Sequence, residues 1–147
     1  MKDTKLESAF LATSYRVVTP VATFNLRIGQ PDAAFESFLR RQRAVNWGII
    51  TACNPGGILA PGPKANELAT RSLAGKIRAC GWLGFPSINR ADAGDWPDEP
   101  GYCVLDAGER ALCVLATEFG QAAFVYGEVG GDGSQLVWTG IASDERT

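Results

Sequence analysis

Residues 47–57 read W-G-I-I-T-A-C-N-P-G-G. Trp47 to Ala52 is an unbroken strand pattern, apolar enough to lie in the interior of a sheet. Asn54, Pro55, Gly56 and Gly57 end it, because these residue types either fix a turn dihedral or tolerate one that other side chains avoid. The Pro/Gly loop continues to Gly62. Pro63 then stands where a proline opens a helix, and Gly81 where a glycine closes one. A strand, a turn-rich loop and a long helix therefore follow one another at the centre of the chain.

The same signals extend outward in both directions. On the N-terminal side, Thr4-Lys5-Leu6-Glu7 has the form of a capping box and predicts a short helix to about Thr13. Strands are predicted over Tyr15–Thr19 and Val21–Ile28, with Pro20 at the turn or on an edge. Pro31 opens a second helix with Ala34, Phe35, Phe38 and Leu39 on one stripe, and Arg40, Arg41 and Arg43 at its C-terminal end. On the C-terminal side, Trp82–Ile88 and Tyr102–Leu105 read as strands flanking a polar loop at 89–101. Gly108–Phe119 reads as a helix with Leu112, Leu115, Ala116 and Phe119 inward. Gln121–Gly127 and Gln135–Trp138 form a closing hairpin around G-G-D-G-S. The order α-β-β-α-β-α-β-β-α-β-β predicts one α+β domain over residues 1–147, with a mixed, mostly antiparallel sheet packed by three to four helices.

Composition narrows the chemistry. The chain has 147 residues, 46% of them apolar, enough for one domain with its own core. Net charge is −2, which gives no sign of a nucleic-acid or anionic-membrane partner. Residues 1–81 carry 11 basic and 5 acidic side chains, a net +6, and residues 82–147 carry 3 basic and 11 acidic, a net −8. The two halves either neutralise each other within the fold or form a docking dipole. The opening stretch M-K-D-T-K-L-E-S-A-F-L has no apolar h-region, and no apolar run approaches the ~20 residues that span a membrane. A reducing, cytoplasmic setting with free, buried cysteines (Cys53, Cys80, Cys103, Cys113) is expected. Histidine is absent, which removes Ser-His-Asp and Cys-His catalysis and histidine-ligated zinc. A general base must then be a carboxylate, a lysine, a tyrosine, a perturbed cysteine or water. No cofactor and no metal site is implied.

Several side chains are candidates for a site. The loop at 54–62 resembles a phosphate cradle, but lacks G-x-x-x-x-G-K-[ST] and loses backbone donors to its prolines, so a structural turn is favoured. Cys53 lies at a strand end without a histidine or a neighbouring cation in sequence. Asn66 falls within about 20° of Leu73 and Ile77 on the long helix, so its amide points towards the core beside the loop leaving Asn54. It either ties that loop down or lines a polar pocket with Asn54. The acidic loop D-A-G-D-W-P-D-E-P holds Asp92, Asp95, Asp98 and Glu99 around Trp96, without EF-hand spacing. Glu99, next to a strand, is the best carboxylate for a base or a ligand anchor. Gln121 sits where a helix hands over to a strand. Arg27 is either a surface arginine or a clamp for an anion.

I-T-A-C-N-P, Asn66, W-P-D-E-P and F-G-Q-A-A-F-V-Y, taken in order, resemble an uncharacterised family of small bacterial proteins known as a domain of unknown function. That family is marked by I-T-A-x-N-P and F-G-Q-x-A, and the resemblance spans about Tyr15 to Trp138. The matching positions are Asn54, Pro55, Asn66, Trp96, Glu99, Gly120 and Gln121. Two departures are a small Cys53 where the family carries a larger, often aromatic residue, and Gly56 and Gly57 in place of a serine after N-P. The resemblance implies a site region and no known activity. Together the residues suggest a binding or accessory module with a polar pocket of Asn54, Asn66, Glu99 and Gln121, with Arg27 as a further member. The alternatives are a small enzyme on a nucleotide or similar metabolite, with Glu99 as base and Arg27 as anion clamp, or a protein-interaction or inhibitor module using the charge asymmetry. The partner is thus a small molecule or a protein.

Overall fold

The computed structural model describes residues 3–57 and 62–141. Eleven regular elements follow in the expected order. They are α1 (Thr4–Leu11), β1 (Thr13–Val18), β2 (Thr23–Leu26), α2 (Ala33–Arg41), β3 (Asn46–Thr51), α3 (Gly62–Ala79), β4 (Leu83–Ala91), β5 (Glu99–Leu105), α4 (Glu109–Glu118), β6 (Ala123–Glu128) and β7 (Ser134–Trp138). A 3-10 turn, Pro55–Gly57, follows β3.

The seven strands form one sheet in the order β2-β1-β4-β5-β3-β6-β7. Every pairing between them is antiparallel, so the α+β class holds and the parallel pair allowed by a mixed sheet does not occur among the described residues. Three hairpins, β1–β2, β4–β5 and β6–β7, account for half of the pairings. β3 enters between β5 and β6 and is interior, as its apolar run requires.

Alternation along the strands sends side chains to two cores. One face carries Trp47, Ile49, Phe85, Cys103, Leu105 and Val125 against Phe35, Phe38 and Leu39 of α2. The other carries Ile50, Val104, Phe124 and Tyr126 against Leu73 and Ile77 of α3 and Leu112, Leu115 and Ala116 of α4. α1 lies over the first face, where Phe10 packs against that core and Tyr15 donates a hydrogen bond to the Phe10 carbonyl at 3.0 Å.

Local details depart from the sequence expectations in instructive ways. The caps of α1 and α2 are aspartates: Asp3 accepts from Leu6 N–H and Asp32 from Phe35 N–H, so Thr4 is already helical and Pro31 precedes the cap. An ionised carboxylate is a strong acceptor at the positive end of a helix dipole and prevails over the hydroxyl next to it. On α3, only Leu73 and Ile77 are buried, and Leu68 is 57% exposed. The inward stripe is therefore Asn66, Thr70, Leu73 and Ile77. Gly81 ends the helix as expected: at φ 75° its N–H reaches the Arg78 carbonyl, and Trp82 N–H reaches that of Ile77. The four cysteines are free, but Cys80 is exposed, contrary to expectation. Arg27–Asp92 and Lys76–Glu118 join the basic and acidic halves of the chain, in line with mutual neutralisation. No helix is long and apolar enough to cross a membrane among the described residues.

Candidate functional site

β3 ends in a hydrogen-bonded lock. The Thr51 hydroxyl donates to the Pro100 carbonyl at 2.9 Å and accepts from Cys53 N–H at 3.1 Å. This turns the chain so that Asn54 enters the left-handed region at φ 48°, a conformation asparagine tolerates better than most residues. Asn54 is buried and every polar atom of its side chain is bonded. Its N–H donates to Asn66 Oδ1 at 2.9 Å, its Oδ1 accepts from Asn66 Nδ2 at 2.8 Å, and its own Nδ2 donates to Glu99 Oε2 at 2.6 Å. The helical spacing that places Asn66 on the same side as Leu73 thus delivers a reciprocal amide pair.

The F-G-Q segment closes the other side of this turn. Gly120 has φ 69°, and a Cβ there would approach Pro55 Cβ to 2.8 Å, so a side chain is excluded both by backbone conformation and by contact. Gly56 N–H donates to the Gly120 carbonyl at 3.0 Å. Gln121 Nε2 donates to the Cys53 and Phe119 carbonyls at 3.0 and 3.2 Å. The N-P and F-G-Q stretches, 65 positions apart from Pro55 to Gly120, are therefore direct structural partners.

Glu99 is the first residue of β5 and not, as the sequence suggested, part of the preceding loop. Its side chain shares the face of Cys103 and Leu105, and it pairs across the ladder with Asn89 of β4. Trp96 Nε1 donates to Glu99 Oε2 at 2.9 Å, so both hydrogen bonds fall on one carboxylate oxygen. Burial raises the Glu99 pKa above the usual carboxylate range, and the donors Asn54 and Trp96 offset part of that rise. Burial likewise holds the Tyr15 phenol protonated far above its ordinary range.

These groups surround a cavity of about 440 Å³ between α1 and the sheet. Tyr15, Thr51, Asn89 and Glu99 form its floor, Leu6, Ala9 and Phe10 its cover, and Trp96, Asn54 and Gln121 its wall. Of the five site residues expected from sequence, Asn54, Glu99 and Gln121 line this space. Asn66 stands behind Asn54 and positions it. Arg27 does not line the cavity: its guanidinium forms a two-point pair at 2.9 and 2.7 Å with Asp92, which does. Asp98 is similarly paired with Arg90, so two members of the exposed acidic loop are matched by arginines. Among the described residues no cluster of three or more Cys, Asp or Glu side chains is placed to hold a metal ion. The phosphate-cradle reading of the 54–62 loop falls in part on residues 58–61, outside the described residues.

Asn89, Thr51 and Tyr15 were not recognised from the sequence as site residues. Asn89 Oδ1 is buried without a hydrogen-bond partner, as is the Ser87 hydroxyl two positions earlier on the same face. The available signal was the alternation Phe85, Ser87, Asn89, which continues the inward side of β4 past Ile88 with polar residues.

No curated protein and no solved structure matches the chain. A family model described as "Protein of unknown function (DUF3293)" matches residues 50–124, just over half of the 147-residue chain. That span begins at the I-T-A-C-N-P turn and ends beyond F-G-Q, taking in Asn54, Asn66, Glu99 and Gln121, and the chain belongs to this uncharacterised family.

Proposed function

We propose that this protein binds a small molecule in the cavity beneath α1, with Glu99 as its anchor. The observation that carries this reading is convergence. Asn54, Glu99 and Gln121 come from separate parts of the chain to one cavity of about 440 Å³, a volume within the usual range for ligand sites. Asn54, itself held by Asn66, and Trp96 donate to one oxygen of the Glu99 carboxylate, and Oε1 accepts no hydrogen bond from the described residues. A rigidly held carboxylate beside apolar walls orients a ligand well. Four free cysteines, one of them exposed, support a reducing, cytoplasmic setting for this binding protein.

The test is a cavity-filling variant. Ala9→Trp places an indole in the space while leaving the floor intact. Ligand-observed NMR with a library of small amphipathic molecules should give signals with the wild-type chain that this variant removes. Signals that are insensitive to the filling place binding elsewhere and overturn the reading.

A second reading has one observation in its favour. A carboxylate with a raised pKa, fixed by two donors and open on one oxygen, is the arrangement of a general base. In that case Glu99→Gln abolishes turnover while binding persists.

A further inference from the structure

We propose that the cavity takes a primary ammonium carried on an apolar body, with the nitrogen held by Glu99 Oε1. This deepens the small-molecule reading above and rests on it. Glu99 is half-buried and pairs with no cation among the described residues, whereas Asp92 and Asp98 nearby each have an arginine. Buried carboxylates are costly unless a cation or several donors compensate them. Here two donors serve Oε2 alone.

The polar lining points the same way. The hydroxyls of Tyr15, Thr51 and Thr13 donate to the carbonyls of Phe10, Pro100 and Ala9. The amides of Asn54 and Gln121 and the Trp96 indole are also engaged as donors. The acceptor left open among these groups is Glu99 Oε1, because both donors to the carboxylate fall on Oε2. Asn89 and Glu99 oppose each other across the β4–β5 ladder, so their side chains stand side by side on one face. An ammonium supplies donors and one positive charge to the Glu99 carboxylate. Lys5, the lysine of the lining, is exposed on α1 and reaches solvent. Leu6, Ala9 and Phe10 offer apolar contact to the rest of the ligand, and the Trp96 ring, 40% exposed, offers a further aromatic surface.

The experiment uses three probes of matched shape: 2-phenylethylammonium, 2-phenylethanol and 3-phenylpropanoate. Binding is measured by titration calorimetry and ligand-observed NMR at about pH 8, above the usual carboxylate range. The ammonium should bind at least about tenfold more tightly than the alcohol, with the carboxylate weakest. Glu99→Gln should erase the advantage of the ammonium, and Ala9→Trp should remove binding of all three. A second filling variant, Ala91→Phe, guards against a misfolded Ala9→Trp, and both are checked by circular dichroism. If the alcohol or the carboxylate binds best and the filling variants remove it, the ammonium assignment is wrong and the cavity remains a binding site. If no probe binds, or binding survives filling, both readings fall.

Discussion

α1 and α2 cover the same face of the sheet, yet they close it differently. α2 buries Phe35, Phe38 and Leu39, and its two phenylalanine rings meet Phe24, Trp47 and Phe85. α1 has no buried residue and leaves a cavity beneath it. The strands change character between the two ends. Along β3, β4 and β5 the inward positions run from Trp47, Phe85 and Leu105 under α2 to Thr51, Asn89 and Glu99 under α1. One end of the face is therefore filled to hold the fold together, and the other is left open with polar groups aimed into it. Continuous apolar packing is what stability requires, and an unfilled, polar-floored space is what a binding site requires.

The largest test of this contrast is on the filled end. Phe38→Ala removes a side chain that is 3% exposed, and should cost about 3–5 kcal/mol in urea unfolding. Next comes the support of the open end. Asn66→Ala strips Asn54 of two hydrogen bonds and should cost about 1–3 kcal/mol, while weakening ligand binding in a chain that still folds cooperatively. Outright unfolding of that variant would make the amide pair a fold element alone. Gly120→Ala forces a side chain into a left-handed backbone against Pro55 and should cost about 1–2 kcal/mol by the same assay. Leu6→Ala on α1 should change stability by less than about 1 kcal/mol, because α1 contributes little burial. A loss equal to that of Phe38→Ala would erase the distinction between the two helices.

The filled end was the more legible in sequence. Phe35, Phe38 and Leu39 announce themselves through helical spacing, and the three hairpins through turn residues at short range. The open end was legible where local geometry sufficed. Asn66 could be placed beside Asn54 because both flank one loop and helical rotation fixes the direction of Asn66. Arg27 could not be resolved, since its partner Asp92 is 65 positions away and it takes both the β1–β2 and β1–β4 pairings to bring their neighbourhoods together. Asn89 was hidden because β4 runs three residues beyond the apolar stretch that marked it, ending at Ala91. Tertiary pairing extended the strand where propensity alone had ended it.

The smallest expected effect concerns charge at the open end. Burial raises the Glu99 pKa in the folded chain above its ordinary value of 4.5. Between that value and the raised one, the folded state binds more protons than the unfolded state, so unfolding free energy falls as pH rises. The contribution of Glu99 is thus fully present below pH 4.5 and is lost as pH climbs through the folded-state pKa. The titrating neighbours facing it act elsewhere: Tyr15 is pushed upwards by burial, and Asp92 is held low by Arg27. Urea midpoints measured across this window should therefore decline more steeply for wild type than for Glu99→Gln. A bound ammonium favours the ionised carboxylate, so its affinity should climb over the same window in which the stability of the free protein falls. Identical slopes in wild type and variant would mean that Glu99 is solvated like a surface carboxylate. The two ends of the sheet face would then differ in packing alone.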